Sequence, residues 1–306
     1  LSRSTATAFL DPSVLLGIRN LMLRARCVVE GTLVGEHISP FRGGSVEFAQ
    51  HRAYSPGDEL RYVDWRLYAR TDHYHVKQFE VTTNLRGYLL VDGSGSMGYP
   101  SGAEMTKYRY ATLLAGAAAY VLTRQGDAVA LALAKASGVE TMPARCQMAH
   151  LSRMLEVMEG HETGGEDGPI QLIRHARDRI HHRSLMLIFS DFFVDVPTLM
   201  ADVKVLRSRG HDVALIQVLH PDELEFPFNR FYRFESMEDR SFLPADGARI
   251  REEYLAALGE HRELLAQATR QAGVDWVQAR TDEAPDAVLA RFLNGPLRIR
   301  KLRRMY

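Results

Sequence analysis

Apolar positions change rhythm near residue 86. Before that point, Val14, Leu15, Ile18, Leu21 and Met22 recur at helical spacing and predict a helix over 13–30. Residues 31–83 keep no such period. Short alternating pieces, Ser45-Val46-Glu47-Phe48 and Tyr74-His75-Val76-Lys77, predict strands in a small β-rich region built on turns. One turn is Ser55-Pro56-Gly57-Asp58, where Pro presets φ and Gly accepts a positive φ. Trp65 is expected to anchor the core of this region. From 86 onward, continuous apolar runs alternate with amphipathic stretches. Tyr88–Val91, Ala128–Leu133, Leu185–Phe189, Val213–Leu219 and Val274–Val277 are predicted strands, and a run such as Tyr88–Val91 is expected of one buried on both faces. Val139–Met142 is the expected hairpin partner of the second run. Helices are predicted over 104–124, 147–159, 169–181, 197–209, 250–272 and 285–293, and a β excursion over 220–250.

Strands alternating with helices imply crossover units and a mostly parallel, doubly wound α/β sheet. The expected organisation is therefore three parts. Residues 1–83 hold a helix plus an Arg- and aromatic-rich β region, 84–295 the α/β domain, and 296–306 a basic tail.

Composition narrows the function classes. The chain has 306 residues, 46% hydrophobic and 25% charged, enough for a sizeable core. Its formal net charge is +0, so no global field draws it to nucleic acid or an acidic membrane. Two distant cysteines, Cys27 and Cys146, argue against a disulfide framework or structural zinc, and a reducing cytoplasm is the expected location. Leu1–Asp11 lacks the pattern of a secretory signal, and the longest apolar stretch, Leu113–Leu122, is too short to span a bilayer. That Ala-rich run is expected to be a buried helix.

The candidate chemistry sits where the first long-domain strand ends. Asp92-Gly93-Ser94-Gly95-Ser96 follows a buried strand and precedes a long helix. Ligands of open α/β sheets gather at such carboxyl ends. A carboxylate and two hydroxyls at alternate positions of a tight turn converge on one point, and the glycines let the backbone fold that closely. These hard oxygen donors suit Mg²⁺ or a similar cation and not zinc. Asp191 ends a neighbouring strand and adds a second carboxylate. The bland alternative is a turn whose side chains only cap the next helix.

Other patterns weigh less. Gly93–Gly98 matches G-x-G-x-x-G, but Tyr99-Pro100-Ser101-Gly102 delays the helix and the second strand ends in Ala134-Lys135, not an acid. His73 and His75, on one face of an expected strand, have no ligand-spaced partners. Ser94 lacks the flanking glycines of a nucleophile elbow. Arg42, Arg52, Arg66 and Arg70 form a candidate partner-binding surface. Interleaved acids (Glu47, Asp58, Glu59, Asp64, Asp72) favour an ion-pair network there over nucleic-acid binding.

D-x-S-x-S after a strand, with a later Asp closing another, resembles the metal-ion-dependent adhesion site of von Willebrand A domains. The run His37-Ile38-Ser39-Pro40-Phe41-Arg42-Gly43, then Ser45–Phe48, His51-Arg52, Tyr54, Pro56-Gly57-Asp58, Arg61, Asp64-Trp65-Arg66 and Ala69-Arg70-Thr71, resembles the signature of the domain-of-unknown-function fifty-eight family. That resemblance implies a von Willebrand A-like fold and a non-catalytic, protein-binding role. It also implies Mg²⁺ or Mn²⁺ on Asp92, Ser94, Ser96 and Asp191, and a MoxR-type AAA+ ATPase, or a client of one, as partner. The fifth metal position of such sites, usually Thr, falls at Asp167 or Gly168, or at Thr163 if the loop bends back. Two competing classes remain at this stage: metal-dependent phosphoester hydrolysis, and RNA binding through the Arg-rich region.

Overall fold

A computed structural model describes residues 20–34, 45–53, 64–82, 85–102, 105–166, 168–239 and 241–294. The expected turn at 55–58 and the basic tail lie outside them. The chain divides into two compact units, Leu1–Ser39 with Arg86–Tyr306, and Pro40–Leu85.

In the small unit, β1 (Ser45–Ala53) pairs antiparallel with β2 (His75–Thr82), with a register shift between Phe48 and Gln50. Between them lies a seven-residue helix, α2 (Trp65–Thr71), that the β-rich reading did not anticipate. About two turns of helix are too short to show a period. Asp64 starts it, its Oδ1 accepting from the Leu67 N–H at 3.1 Å. Trp65 is not a core anchor: it is 56% exposed and meets Tyr68 and Tyr74 edge-on. Tyr68 and Tyr74 stack on each other instead, 4.4 Å between centroids.

The large unit is a six-stranded sheet in the order β10-β7-β6-β3-β4-β5. These are β3 (Arg86–Val91), β4 (Ala128–Lys135), β5 (Gly138–Arg145), β6 (Leu185–Ser190), β7 (Asp212–Leu219) and β10 (Asp275–Arg280). All neighbours are parallel except β4 and β5, the expected hairpin. This is the expected doubly wound α/β architecture. Every residue of β6 is buried, which is why its sequence is a continuous apolar run rather than an alternating one.

One layer consists of α3 (Lys107–Arg124), α4 (Met148–Glu159) and α9 (Pro285–Asn294). Helix α3 rests on β3, β4, β6 and β7. Sixteen of its 18 residues are buried, so a sheet on one side cannot account for it alone. The N-terminal helix α1 (Leu21–Val34) covers its back and also meets α4 and α9. The boundary expected near residue 83 falls at Leu85/Arg86, but the N-terminal helix is not part of the small unit. Helix α1 belongs to the large unit, because Leu21, Ala25, Val28 and Val29 bury an apolar stripe there. The other layer is α5 (Gly168–Arg179), α6 (Val196–Ser208) and α8 (Gly247–Ala272). The excursion after β7 begins with a short helix, α7 (Pro221–Glu225), and continues as the hairpin β8 (Phe231–Glu235) and β9 (Phe242–Asp246).

The chain leaves β3 for α3 on one face and leaves β6 for α6 on the other. The crevice at this reversal lies at the carboxyl ends of β3 and β6, where Asp92 and Asp191 begin their loops.

Candidate functional site

Asp92 leaves β3 fully buried, its N–H donating to the Phe189 carbonyl of β6 at 2.9 Å. Its carboxylate is engaged on both oxygens. Oδ1 accepts from the Ser94 N–H at 2.9 Å, and Oδ2 accepts from the Ser190 hydroxyl at 2.6 Å. Ser190 Oγ in turn accepts from the Phe192 N–H at 3.0 Å. Burial, then the nearby charge of Asp191, pushes the Asp92 carboxyl up to about 6 against the pull of these hydrogen bonds. The Ser94 and Ser96 hydroxyls lie 3.3 Å apart. A second loop closes on the first through backbone bonds, Gly164 N–H to the Gly93 carbonyl at 2.8 Å and Gly95 N–H to the Gly165 carbonyl at 3.0 Å. Gly95 also lies against the Met237 backbone at the tip of the β8–β9 hairpin, where a Cβ would overlap the carbonyl.

Beside this loop is a cation that sequence reasoning missed. Lys107 opens α3 and is 1% exposed. Its Nζ donates to Asp191 Oδ2 at 2.7 Å and to Glu223 Oε1 at 2.5 Å, and lies 5.1 Å from the centroid of the Phe193 ring. Burial opposes its charge, but Asp191 and Glu223 outweigh burial and raise its pKa. Burial raises the Glu223 carboxyl, with the nearby charge of Asp191 adding to it, against the pull of the Lys107 ammonium and the His220 N–H. The acids are held in their turn. Glu223 Oε2 accepts from the His220 N–H at 2.8 Å, Asp191 Oδ1 accepts from the Phe193 N–H at 3.2 Å, and the Gln217 amide donates to the Asp191 carbonyl at 2.9 Å. A signal did exist in the sequence. A lysine in the first turn of a helix opposes the positive end of the macrodipole and calls for nearby carboxylates.

The structure thus brings Asp92, Ser94, Ser96 and Asp191 to one edge, as expected. The remaining expected metal position differs. Gly168 lies directly against the Asp92 carboxylate, where any Cβ would overlap Oδ1. Asp167 lies outside the described residues. Thr163 is placed against Gly98, at the far end of the loop. A divalent cation needs several oxygen donors with free lone pairs at about 2.0–2.1 Å for Mg²⁺. The Ser94–Ser96 pair fits neighbouring corners of such a shell. The rest does not. Asp191 is already paired with Lys107, each Asp92 oxygen already accepts one hydrogen bond, and Gly168, one of the positions expected for the Thr corner, has no room for a side chain. No group of three or more His, Cys, Asp or Glu is arranged to hold a metal among the described residues. Of the basic candidates, Arg42 lies outside the described residues. Arg52 is opposite Val76 in the β1–β2 ladder, and Arg66 and Arg70 lie on α2, with Arg70 exposed.

An open, mostly parallel sheet with this Asp-Ser-Ser loop at its carboxyl edge defines a von Willebrand A-like α/β domain. The chain belongs to the family described as "Protein of unknown function DUF58", whose model matches residues 50–264. An uncharacterized protein of Mycobacterium bovis is 28% identical over 288 residues, covering 92% of this chain and 90% of its own. Among solved structures, an aerotolerance-related membrane protein from Bacteroides fragilis is 13% identical, with a TM-score of 0.44 over 69% of this chain and 98% of that one. The SpRpn10 VWA domain is 10% identical, with a TM-score of 0.40 over 70% of this chain and 97% of that one. No helix among the described residues is long and apolar enough to cross a membrane.

Proposed function

We propose that this chain is a non-catalytic protein-binding domain that docks its partner at the carboxyl edge of the sheet, on the Asp92–Ser94–Ser96 loop. The observation that carries this reading is the state of the polar groups there. Two serine hydroxyls sit at the topological switch point, while each neighbouring acid is already engaged. Asp92 accepts hydrogen bonds on both oxygens, and Asp191 and Glu223 flank the Lys107 ammonium. Phosphoester hydrolysis and RNA binding gain no supporting observation. Mg²⁺ or Mn²⁺ on Asp92, Ser94, Ser96 and Asp191 remains what the von Willebrand A resemblance implies, and the hydroxyl pair is the observation in its favour.

The proposed partner is a MoxR-type AAA+ ATPase or a client protein delivered to one, on the family resemblance. Surface-immobilised wild-type chain and a Ser94→Ala/Ser96→Ala double variant would be titrated with the MoxR-type ATPase of the same organism. The reading expects the variant to bind at least about tenfold more weakly, about 1.4 kcal/mol, with an unchanged melting temperature. Equal binding by both chains would remove the loop from the interface.

A further inference from the structure

We propose that the Lys107 ammonium is the resident cation of this sheet edge and takes over the charge-compensating role of a divalent metal, so that the site holds its shape without Mg²⁺ or Mn²⁺. Three observations lead there. First, Lys107 is almost wholly buried, and its Nζ bridges Asp191 and Glu223 at 2.7 and 2.5 Å. Asp191 is one of the two carboxylates that the adhesion-site pattern assigns to the metal. A cation entering at Asp191 would displace one already there and leave a buried ammonium with a single partner. That loss is severe in a poorly solvated setting.

Second, one of the positions expected to supply the fifth ligand is closed. Gly168 packs onto Asp92 with no space for even a methyl group, so no side chain at that position reaches a metal.

Third, the lysine is built in from three directions. Its own N–H donates to the Tyr99 carbonyl at 2.9 Å, which ties α3 to the end of the Asp92 loop. The Tyr99 hydroxyl donates to Asp222 Oδ2 at 2.7 Å, beside Glu223 on α7. The loops after β3, β6 and β7 therefore meet around one ammonium, as such loops would meet around a metal ion.

The proposal rests on the docking reading only for the importance of this edge. Its test uses metal alone, with no partner, so the two stand or fall separately. Calorimetric titration of the wild-type chain with MgCl₂ and MnCl₂ is expected to show no saturable binding. Its melting temperature should be the same in EDTA and in about 10 mM Mg²⁺ at matched ionic strength.

Lys107→Ala opens space beside two uncompensated carboxylates. It is expected to melt lower in EDTA and to regain a large part of the loss in Mg²⁺ but not in KCl, with a new saturable binding isotherm. Lys107→Met, which leaves less of a cavity, serves if the alanine variant does not fold. Saturable Mg²⁺ or Mn²⁺ binding by the wild type that Asp92→Ala abolishes would overturn the proposal. A folded Lys107 variant with no gain in divalent binding or stability would overturn it too, and would leave Lys107 as a structural ion pair only.

Discussion

Asp92 carries a cost that its neighbours only partly offset. Burial and the charge of Asp191 push its carboxyl from 3.8 up to about 6, so the folded chain holds this proton more tightly than the unfolded one. The contribution to stability is therefore fully present below pH 3.8 and is lost as pH rises through about 6. Asp92→Asn removes that dependence. Between about pH 4 and pH 7, urea unfolding should show the wild type losing stability relative to the Asn variant. Parallel curves would mean that Asp92 is ionised throughout. Ser190 is the second residue to probe, because its hydroxyl gives to Asp92 and takes from the Phe192 N–H. Ser190→Ala leaves both groups short of a partner in a buried place, and a loss of about 1–3 kcal/mol is expected from chemical denaturation. A change within error would show that water reaches the pair.

At the scale of elements, α3 is the member on which most else leans. It has sheet on one side and α1 on the other. The crossing is close because Gly116 faces Ala25 and Leu155. A Cβ there would lie 3.5 Å from the Ala25 methyl and 2.9 Å from the tip of Leu155. Leucine tips can swing aside, but the helix backbones cannot. Gly116→Val is thus expected to destabilise the chain by about 1–3 kcal/mol through overpacking, despite the better helix propensity of the new residue. Thermal denaturation reads this directly, and a rise in melting temperature would mean that α1 does not pack as described. The Ala-rich run 113–122 made the burial of this helix legible in advance. Its second cover was not legible, since nothing in 21–34 names the surface it meets.

At the scale of the large unit, protection should follow depth in the sheet. Strands β3, β4, β6 and β7 lie inside it with neighbours on both sides, and β6 is buried throughout. The β8–β9 hairpin is a separate two-stranded sheet with Phe231 73%, Phe242 61% and Leu243 61% exposed. Native-state hydrogen exchange should be slowest in 87–91, 129–134, 185–190 and 213–219 and faster by orders of magnitude in 231–246. Equal protection of the hairpin would show that those aromatic side chains are covered in solution.

The sequence by itself determined the parallel sheet. Strands buried on both faces must be continuous apolar runs, and each run was visible with its helix beside it. It also placed Asp92, Ser94, Ser96 and Asp191 at one edge, because strand ends follow from strand positions. Short or context-dependent elements were not determined. A seven-residue helix at 65–71 has no room to display a period, and the large exposed area of Trp65 contradicts what its side chain suggests. The tertiary structure alone decided the character of the site. Lys107 meets Asp191 and Glu223 across 84 and 116 residues of sequence, and Gly168 meets Asp92 from another layer. Charge compensation acts through space, and a linear pattern holds no record of which distant groups the fold brings within 3 Å of one another.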